Sequence, residues 1–488
     1  MISLSISSFR STVSAFALVL GAASLPACAQ TPEAPTAFEH TFKQGVTITS
    51  GELAYQMHWD SLILDKNEGD ASTTISGTSY LLECECERPV VFLFNGGPGA
   101  SSSPLHFALG PKSRADGKFE DNSVTLLDTG DLVFIDPVET GFSRSGNPDG
   151  TSPYLSIDRD AEAVARFIKA WLSEHDRDGD KVFIVGQSYG GYRLTQLLPH
   201  VEELNIGGLF MVSPMLNAAV TSSDLGNVFN LPTFAATAWR VGKSDIEAET
   251  EDEAWDVARE FAETDYLIAL QKGDAIEPDL AEETAEKLAA MTGLSIQSVL
   301  DADLRINIQY FLENVLAEEN KLVSRLNTGN IVDKAPPANA DRPAAANDPS
   351  LGLGRSNKII SQDIADYLLA GTGAACDDGY RSLNLDANFA WNWKGEGRSY
   401  SPALTGLPQL AAFLKDHPDT KLLVFGGYRD LAIALLGLDY QLSHAGLPPE
   451  QVTLMPMLGG HSPFDEPDVK PAFADAIRTA ISNALDTE

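Results

Sequence analysis

Cysteine is scarce, with four in 488 residues, and Cys28 lies in an N-terminal segment that reads as removable. The three left, Cys84, Cys86 and Cys376, allow at most one intramolecular disulfide, which excludes a disulfide-built scaffold. A link from Cys376 to Cys84 or Cys86 is open in an oxidising compartment. Cys84-Glu85-Cys86 is too closely spaced, and has no second pair, to argue for zinc. Basic residues are also few: 34 Lys and Arg stand against 69 Asp and Glu, a formal charge of −35. Such a charge repels nucleic-acid phosphates and anionic lipid, so neither is an expected partner. No internal apolar run is long enough to cross a bilayer, and 43% hydrophobic with 21% charged residues is the balance of a soluble globular chain. No metal-ligating constellation and no nucleotide-binding glycine loop followed by lysine is present, so no cofactor and no metal is expected.

The N-terminus has the shape of an export signal: Arg10, then the small apolar run Val13 to Leu25, then Pro26-Ala27-Cys28-Ala29-Gln30. Cleavage after Ala29 predicts a periplasmic or secreted protein. Lipidation at Cys28 is the alternative and the one route to a membrane. Beyond it, Phe42 to Leu82 alternates apolar and polar residues as an antiparallel region does. Val90 to Phe94, Leu132 to Ile135 and Val182 to Val185 are compact apolar runs suited to strands buried on both faces. Between the second and third, Ala161, Val164, Phe167, Ile168 and Trp171 recur at helical spacing within Ile157 to His175. Strand alternating with helix implies a parallel α/β sheet. Gly208 to Val212, Leu422 to Phe425 and Val452 to Met457 continue it, and a helix over Val469 to Leu485 closes it.

Residues 229–333 break the alternation with helical patterns alone, over Ala254 to Leu270 and Ile306 to Leu326, and with many carboxylates. An insertion after a core strand sits over the strand ends, where open α/β sheets bind ligands, so this stretch reads as a cap. Lys334 to Ser350, rich in Pro, Ala and Asn, predicts a mobile linker. The expected organisation is a leader over 1–29, core over 30–228, cap over 229–333, linker over 334–350 and the rest of the core over 351–488.

Gly186-Gln187-Ser188-Tyr189-Gly190 follows one predicted strand and opens a predicted helix. A serine on so sharp a turn needs glycine two positions either side, because side chains there would strike the neighbouring strand and helix. Its hydroxyl becomes nucleophilic only when a histidine takes the proton and a carboxylate holds that histidine. In a strand–turn–helix serine site of this kind the order is serine, acid, histidine. Of the eight histidines, His461 alone follows both the serine and a strand end, in Leu458-Gly459-Gly460-His461. Asp430, just past Leu422 to Phe425, is the matching acid. The oxyanion needs two backbone N–H donors. Tyr189 supplies one, and Gly97, in the glycine-rich loop Asn95-Gly96-Gly97-Pro98-Gly99, supplies the other.

With these pieces together, the chain resembles the serine carboxypeptidases, proteins of the α/β-hydrolase fold with a helical cap, from about Val90 to Pro467. Asn95-Gly96-Gly97-Pro98-Gly99-Ala100-Ser101-Ser102, Asp136-Pro137-Val138-Glu139-Thr140-Gly141-Phe142-Ser143, Ser188-Tyr189-Gly190-Gly191 and Gly460-His461 match in order. Gly427-Tyr428-Arg429-Asp430-Leu431-Ala432 looks most like the bacterial branch. The resemblance implies Ser188, Asp430 and His461 as the triad, and Gly97 and Tyr189 as oxyanion donors. It implies Asn95, with Gly96 and Gln187 beside it, as binders of a peptide's free C-terminal carboxylate. The family's paired glutamates are replaced here by Gln187 and, by alignment, Ala108. Since an amide does not titrate, a neutral optimum set by His461 is expected. An esterase or acyltransferase on the same scaffold, or a catalytically silent binding protein, are the alternatives.

Overall fold

The computed structural model describes residues 40–48, 51–66, 72–84, 86–147, 150–372, 379–394 and 404–486. The predicted export signal with Cys28, and Cys376, lie outside the described residues. Nine of the described strands form one sheet: β1 (His40–Ile48), β2 (Gly51–Lys66), β3 (Ser72–Leu82), β4 (Val90–Phe94), β5 (Asp131–Asp136), β6 (Val182–Gln187), β7 (Ile206–Val212), β8 (Lys421–Gly427) and β9 (Val452–Met457). Their spatial order is β1-β2-β3-β5-β4-β6-β7-β8-β9. The first three pair antiparallel, and β3 meets β5 antiparallel. From β5 to β9 every pairing is parallel.

The apolar runs become central strands because both faces are covered. Alternation along β4 sends Phe92 and Phe94 to one side, against helices α1 (Ile157–Glu174) and α2 (Tyr189–Leu197). Val91 and Leu93 face the other, with Leu105, Ile364 and Phe473 of the helices on that side. All five β4 side chains are fully buried. Each such burial stabilises the fold by roughly 1.5–3 kcal/mol. Among the described residues no helix is long and apolar enough to cross a membrane.

Between β7 and β8 the chain builds a second apolar cluster. Phe229 and Phe234 of α3 (Asp224–Arg240), Trp255 of α4 (Glu251–Phe261) and Leu288 of α5 (Pro278–Thr292) pack there with Phe311, Leu431 and Leu435. The helix expected over 254–270 is present, running from Glu251 through a π turn at Ala262–Tyr266 to Lys272. One predicted helix is corrected. The one expected over 306–326 is helical only over Ile308–Asn314, after which Asn320 takes a left-handed φ of 53°. Asn tolerates that conformation, and it turns the chain into a hairpin of Lys321–Val323 with Ile331–Asp333.

Residues 334–350, expected as a mobile linker, are tied down instead. Asp348 is buried and accepts hydrogen bonds from Ser324 Oγ at 2.7 Å and from the Arg325 N–H at 2.5 Å. Composition concealed this, because the partners are polar groups far away in the sequence. The disulfide left open toward Cys376 instead joins Cys84 to Cys86, with Cα atoms 5.4 Å apart.

Candidate active site

Ser188 stands between β6 and α2 at φ 60°, ψ −125°, a backbone conformation that costs a non-glycine residue about 1–3 kcal/mol. Its N–H donates to Val212 O at 2.9 Å and its carbonyl accepts from the Met215 N–H at 3.0 Å, which fix the turn. The flanking glycines are required by close approach. A Cβ on Gly186 would lie 2.5 Å from Gly190 O, and one on Gly190 would lie 3.0 Å from Asn95 O.

The loop after β4 lies directly against this turn. A Cβ on Gly96 would fall 2.5 Å from the Tyr189 nitrogen and 2.6 Å from that of Gly190. Gly97 and Gly99 adopt φ of 98° and 99°, and the Gly97–Pro98 peptide is cis. Tyr189 begins α2, so its N–H has no partner within the helix and is open to an oxyanion.

The loop is gripped from three sides. Beneath it, Arg193 is almost fully buried, donates through Nη1 to Asn95 O and pairs through Nε with Asp160 Oδ2 at 2.6 Å. From outside, the Asn384 N–H donates to Gly99 O at 2.8 Å, and Asn388 Nδ2 to Pro98 O at 3.1 Å. From behind, Asp136 Oδ1 accepts from Ser102 N at 2.8 Å, Ser102 Oγ at 2.7 Å and the Tyr380 hydroxyl at 2.9 Å. Burial pushes the Asp136 carboxyl up to about 6, against the pull of those donors. The motif from Asp136 to Ser143 is therefore scaffolding for the loop. Glu139 in it, at φ 71°, is paired with Arg381.

Asp430 and His461 follow the adjacent parallel strands β8 and β9. Asp430 is fully buried, and its Oδ2 lies 2.8 Å from His461 Nδ1. A carboxylate partner requires the proton on Nδ1, which leaves Nε2 as the acceptor. Asp430 Oδ1 accepts from the Ala432 and Ile433 N–H groups at 2.7 and 3.0 Å. The histidine backbone is held too, its N–H donating to Leu326 O at 2.7 Å.

Gln187 connects these parts. Its Oε1 accepts from Asn95 Nδ2, and its Nε2 donates to His461 O at 3.0 Å and to Ser462 Oγ at 2.8 Å. Both amide hydrogens, expected to face a substrate carboxylate, are thus spent within the protein. Ala108 lies in the apolar core beside Leu105 and Leu109, with no polar role for its side chain. An aromatic wall went unread in the sequence: Tyr189 meets Trp391 and Trp393 edge-on, with ring centres 5.4 and 5.7 Å apart. No motif marks that segment; only its two tryptophans two residues apart hinted at it.

A parallel sheet with a strained serine turn after β6, and an acid and a histidine after later strands, is the architecture of the α/β hydrolases. The prohormone-processing carboxypeptidase KEX1 of Saccharomyces cerevisiae superposes with a TM-score of 0.54 at 15% identity, covering 88% of this chain and 91% of that one, which supports the fold. Within that class, residues 82–224 match the family model described as Serine carboxypeptidase. That stretch holds the glycine loop and the serine turn.

Among curated relatives, serine carboxypeptidase-like 36 of Arabidopsis thaliana is 33% identical over 153 residues, 29% of this chain and 31% of that protein. Carboxypeptidase Y of Saccharomyces cerevisiae is 33% identical over 121 residues, 23% of each. The chain thus spans under a third of the length of these curated relatives.

Proposed function

We propose that the protein is a serine carboxypeptidase that releases C-terminal residues through an acyl-enzyme on Ser188. The observation that carries this reading is the 2.8 Å contact of His461 Nδ1 with the buried Asp430, beside a serine held at φ 60° whose neighbour Gln187 bonds to His461 O at 3.0 Å. In this mechanism His461 Nε2 takes the Ser188 proton as Oγ attacks the last peptide carbonyl. The N–H groups of Gly97 and Tyr189 receive the oxyanion, and His461 returns the proton to the leaving amine. Water, deprotonated by the same histidine, then frees the shortened peptide.

Asn95 retains a second amide hydrogen beyond the one given to Gln187, and with Gly96 it is our candidate for the substrate's carboxylate. The helices between β7 and β8 serve as a cap in this reading. The leader is taken as an export signal, which makes the protein periplasmic or secreted. The segment from Gly427 to Ala432 carries a finer proposal, a place in the bacterial branch, although the relatives above are from a plant and a yeast.

Esterase action is a second reading, favoured by one observation: the Gln187 hydrogens are already engaged, so one expected carboxylate reader is missing. Matched peptides with free and amidated C-termini separate the two. Carboxypeptidase action predicts cleavage of the free peptide at least tenfold faster, followed by mass spectrometry; equal rates would refute it. Ser188→Ala should abolish labelling by a fluorophosphonate that marks the parent.

A further inference from the structure

We infer that Gln187 is a positioning residue that holds the histidine loop and the oxyanion loop in register through one non-titrating amide. This rests on the serine-hydrolase reading above. Gln187 is 2% exposed and ends the strand that delivers Ser188. Its Oε1 takes the Asn95 Nδ2 proton, so the loop carrying Gly97 is fixed from the side of the nucleophile. Its Nε2 holds His461 O at 3.0 Å and Ser462 Oγ at 2.8 Å. The His461 N–H is held at the same time by Leu326 O at 2.7 Å. Both ends of the histidine backbone are therefore clamped, and the ring is clamped by Asp430. A residue with two hydrogens and one acceptor at this point meets three partners with nothing left over, a match that an amide meets at every pH.

A carboxylate would not meet it. A glutamate in place of Gln187, when ionised, would present an acceptor to the His461 carbonyl, and only its protonated form could donate there. Burial and the Asp430 carboxylate raise such an acid. The charged groups on the surrounding elements are His461 and Asp430 at the strand ends, Asp465 and Glu466 on the turn after Ser462, and Arg193 with Asp160 behind Asn95. Arg193 is already paired with Asp160, so it offers the introduced carboxylate no full compensation.

The test uses p-nitrophenyl acetate, an ester without a carboxylate, so that loss of a carboxylate reader cannot register. The parent, Gln187→Glu and Gln187→Ala are assayed from pH 5 to 9, with thermal melts to confirm folding. For Q187A we expect kcat about ten- to a hundredfold lower at every pH, with KM within threefold, the mark of lost positioning. For Q187E the ratio of its rate to the parent's should fall about tenfold per pH unit above the pKa of the new carboxyl. A ratio flat with pH overturns the proposal, as does a Q187A defect seen on peptides but not on the ester. Should Q187E fail to fold, Ser462→Ala removes one of the two donated bonds and should lower kcat severalfold; unchanged kcat there also overturns it. A parent that neither hydrolyses the ester nor labels with fluorophosphonate refutes the hydrolase reading itself, and the positioning role with it.

Discussion

Buried titratable groups away from the site set how the fold answers to pH. His106 is stacked between Phe107 and Phe134, with ring centres 4.7 and 4.2 Å away, and its Nε2 lies 2.7 Å from the Tyr80 hydroxyl. Burial lowers its pKa to about 3 from 6.5. Between those values the unfolded chain binds a proton that the folded one does not, so stability falls as pH falls below 6.5. The slope is about 1.4 kcal/mol per pH unit. Asp136 acts oppositely: its carboxyl is raised to about 6, so the folded state binds the extra proton between 3.8 and 6 and acid favours it. His106→Phe should flatten the decline between pH 6.5 and 6, and below 6, where Asp136 and the likewise raised Asp465 together outweigh His106, it should steepen the net rise toward acid. Melting temperature against pH checks this. The pairing of Asp430 with His461 was legible at this scale because order and strand-end placement left one histidine standing. The bonds of Gln187 were not, since residue type gives hydrogen-bonding capacity but not the partners that use it.

Strands carry their own signature in this chain, whereas the contacts between loops do not. β4 is legible to its ends because a strand buried on both faces needs an unbroken apolar run and a turn at either end; Val452 to Met457 matches its expected bounds too, although as the edge strand it is only half-buried. Periodicity misjudges the length of one helix in the insertion, since the pattern expected to stay helical to 326 ends at Asn314 and the chain goes on into a hairpin. The loops around Ser188 meet through backbone, which no periodicity reports. Gly96→Ala tests that contact: a methyl 2.5 Å from the Tyr189 nitrogen must push the glycine loop and the serine turn apart. We expect at least a hundredfold loss of kcat, as when an oxyanion donor is lost, with the melting temperature lowered by only a few degrees. A parent-like kcat would remove Gly96 from the site.

Across the whole molecule, the insertion meets the core through a charged clamp beside the acid. Arg429, the neighbour of Asp430, forms bonds of 2.9 and 2.7 Å from Nε and Nη2 to the two oxygens of Glu251, at the start of α4. Glu251 is buried, and Arg429 also reaches Glu466 at 3.4 Å. Glu251→Ala leaves the guanidinium with only the 3.4 Å contact to Glu466, and losing charged hydrogen bonds of this kind costs roughly 1.5–3 kcal/mol. The expected outcome is a melting temperature several degrees lower, with kcat reduced more than KM is raised; unchanged values of both would detach α4 from the site. The clamp was invisible in an acidic stretch that composition describes only as a solvated face.

The strip from Arg325 to Thr328 lies against the loops that carry Asp430 and His461. Leu326 O takes the His461 N–H at 2.7 Å, the Thr328 N–H donates to Arg429 O at 2.9 Å, and the Leu431 N–H donates to Arg325 O at 3.0 Å. The far end of the insertion is thus part of the mould in which the acid and the histidine are cast. A chimera that imports another protein's insertion between β7 and β8 exchanges this mould as well. Grafting for new specificity must therefore keep residues 324–330 with the recipient core, or the graft will change turnover along with selectivity.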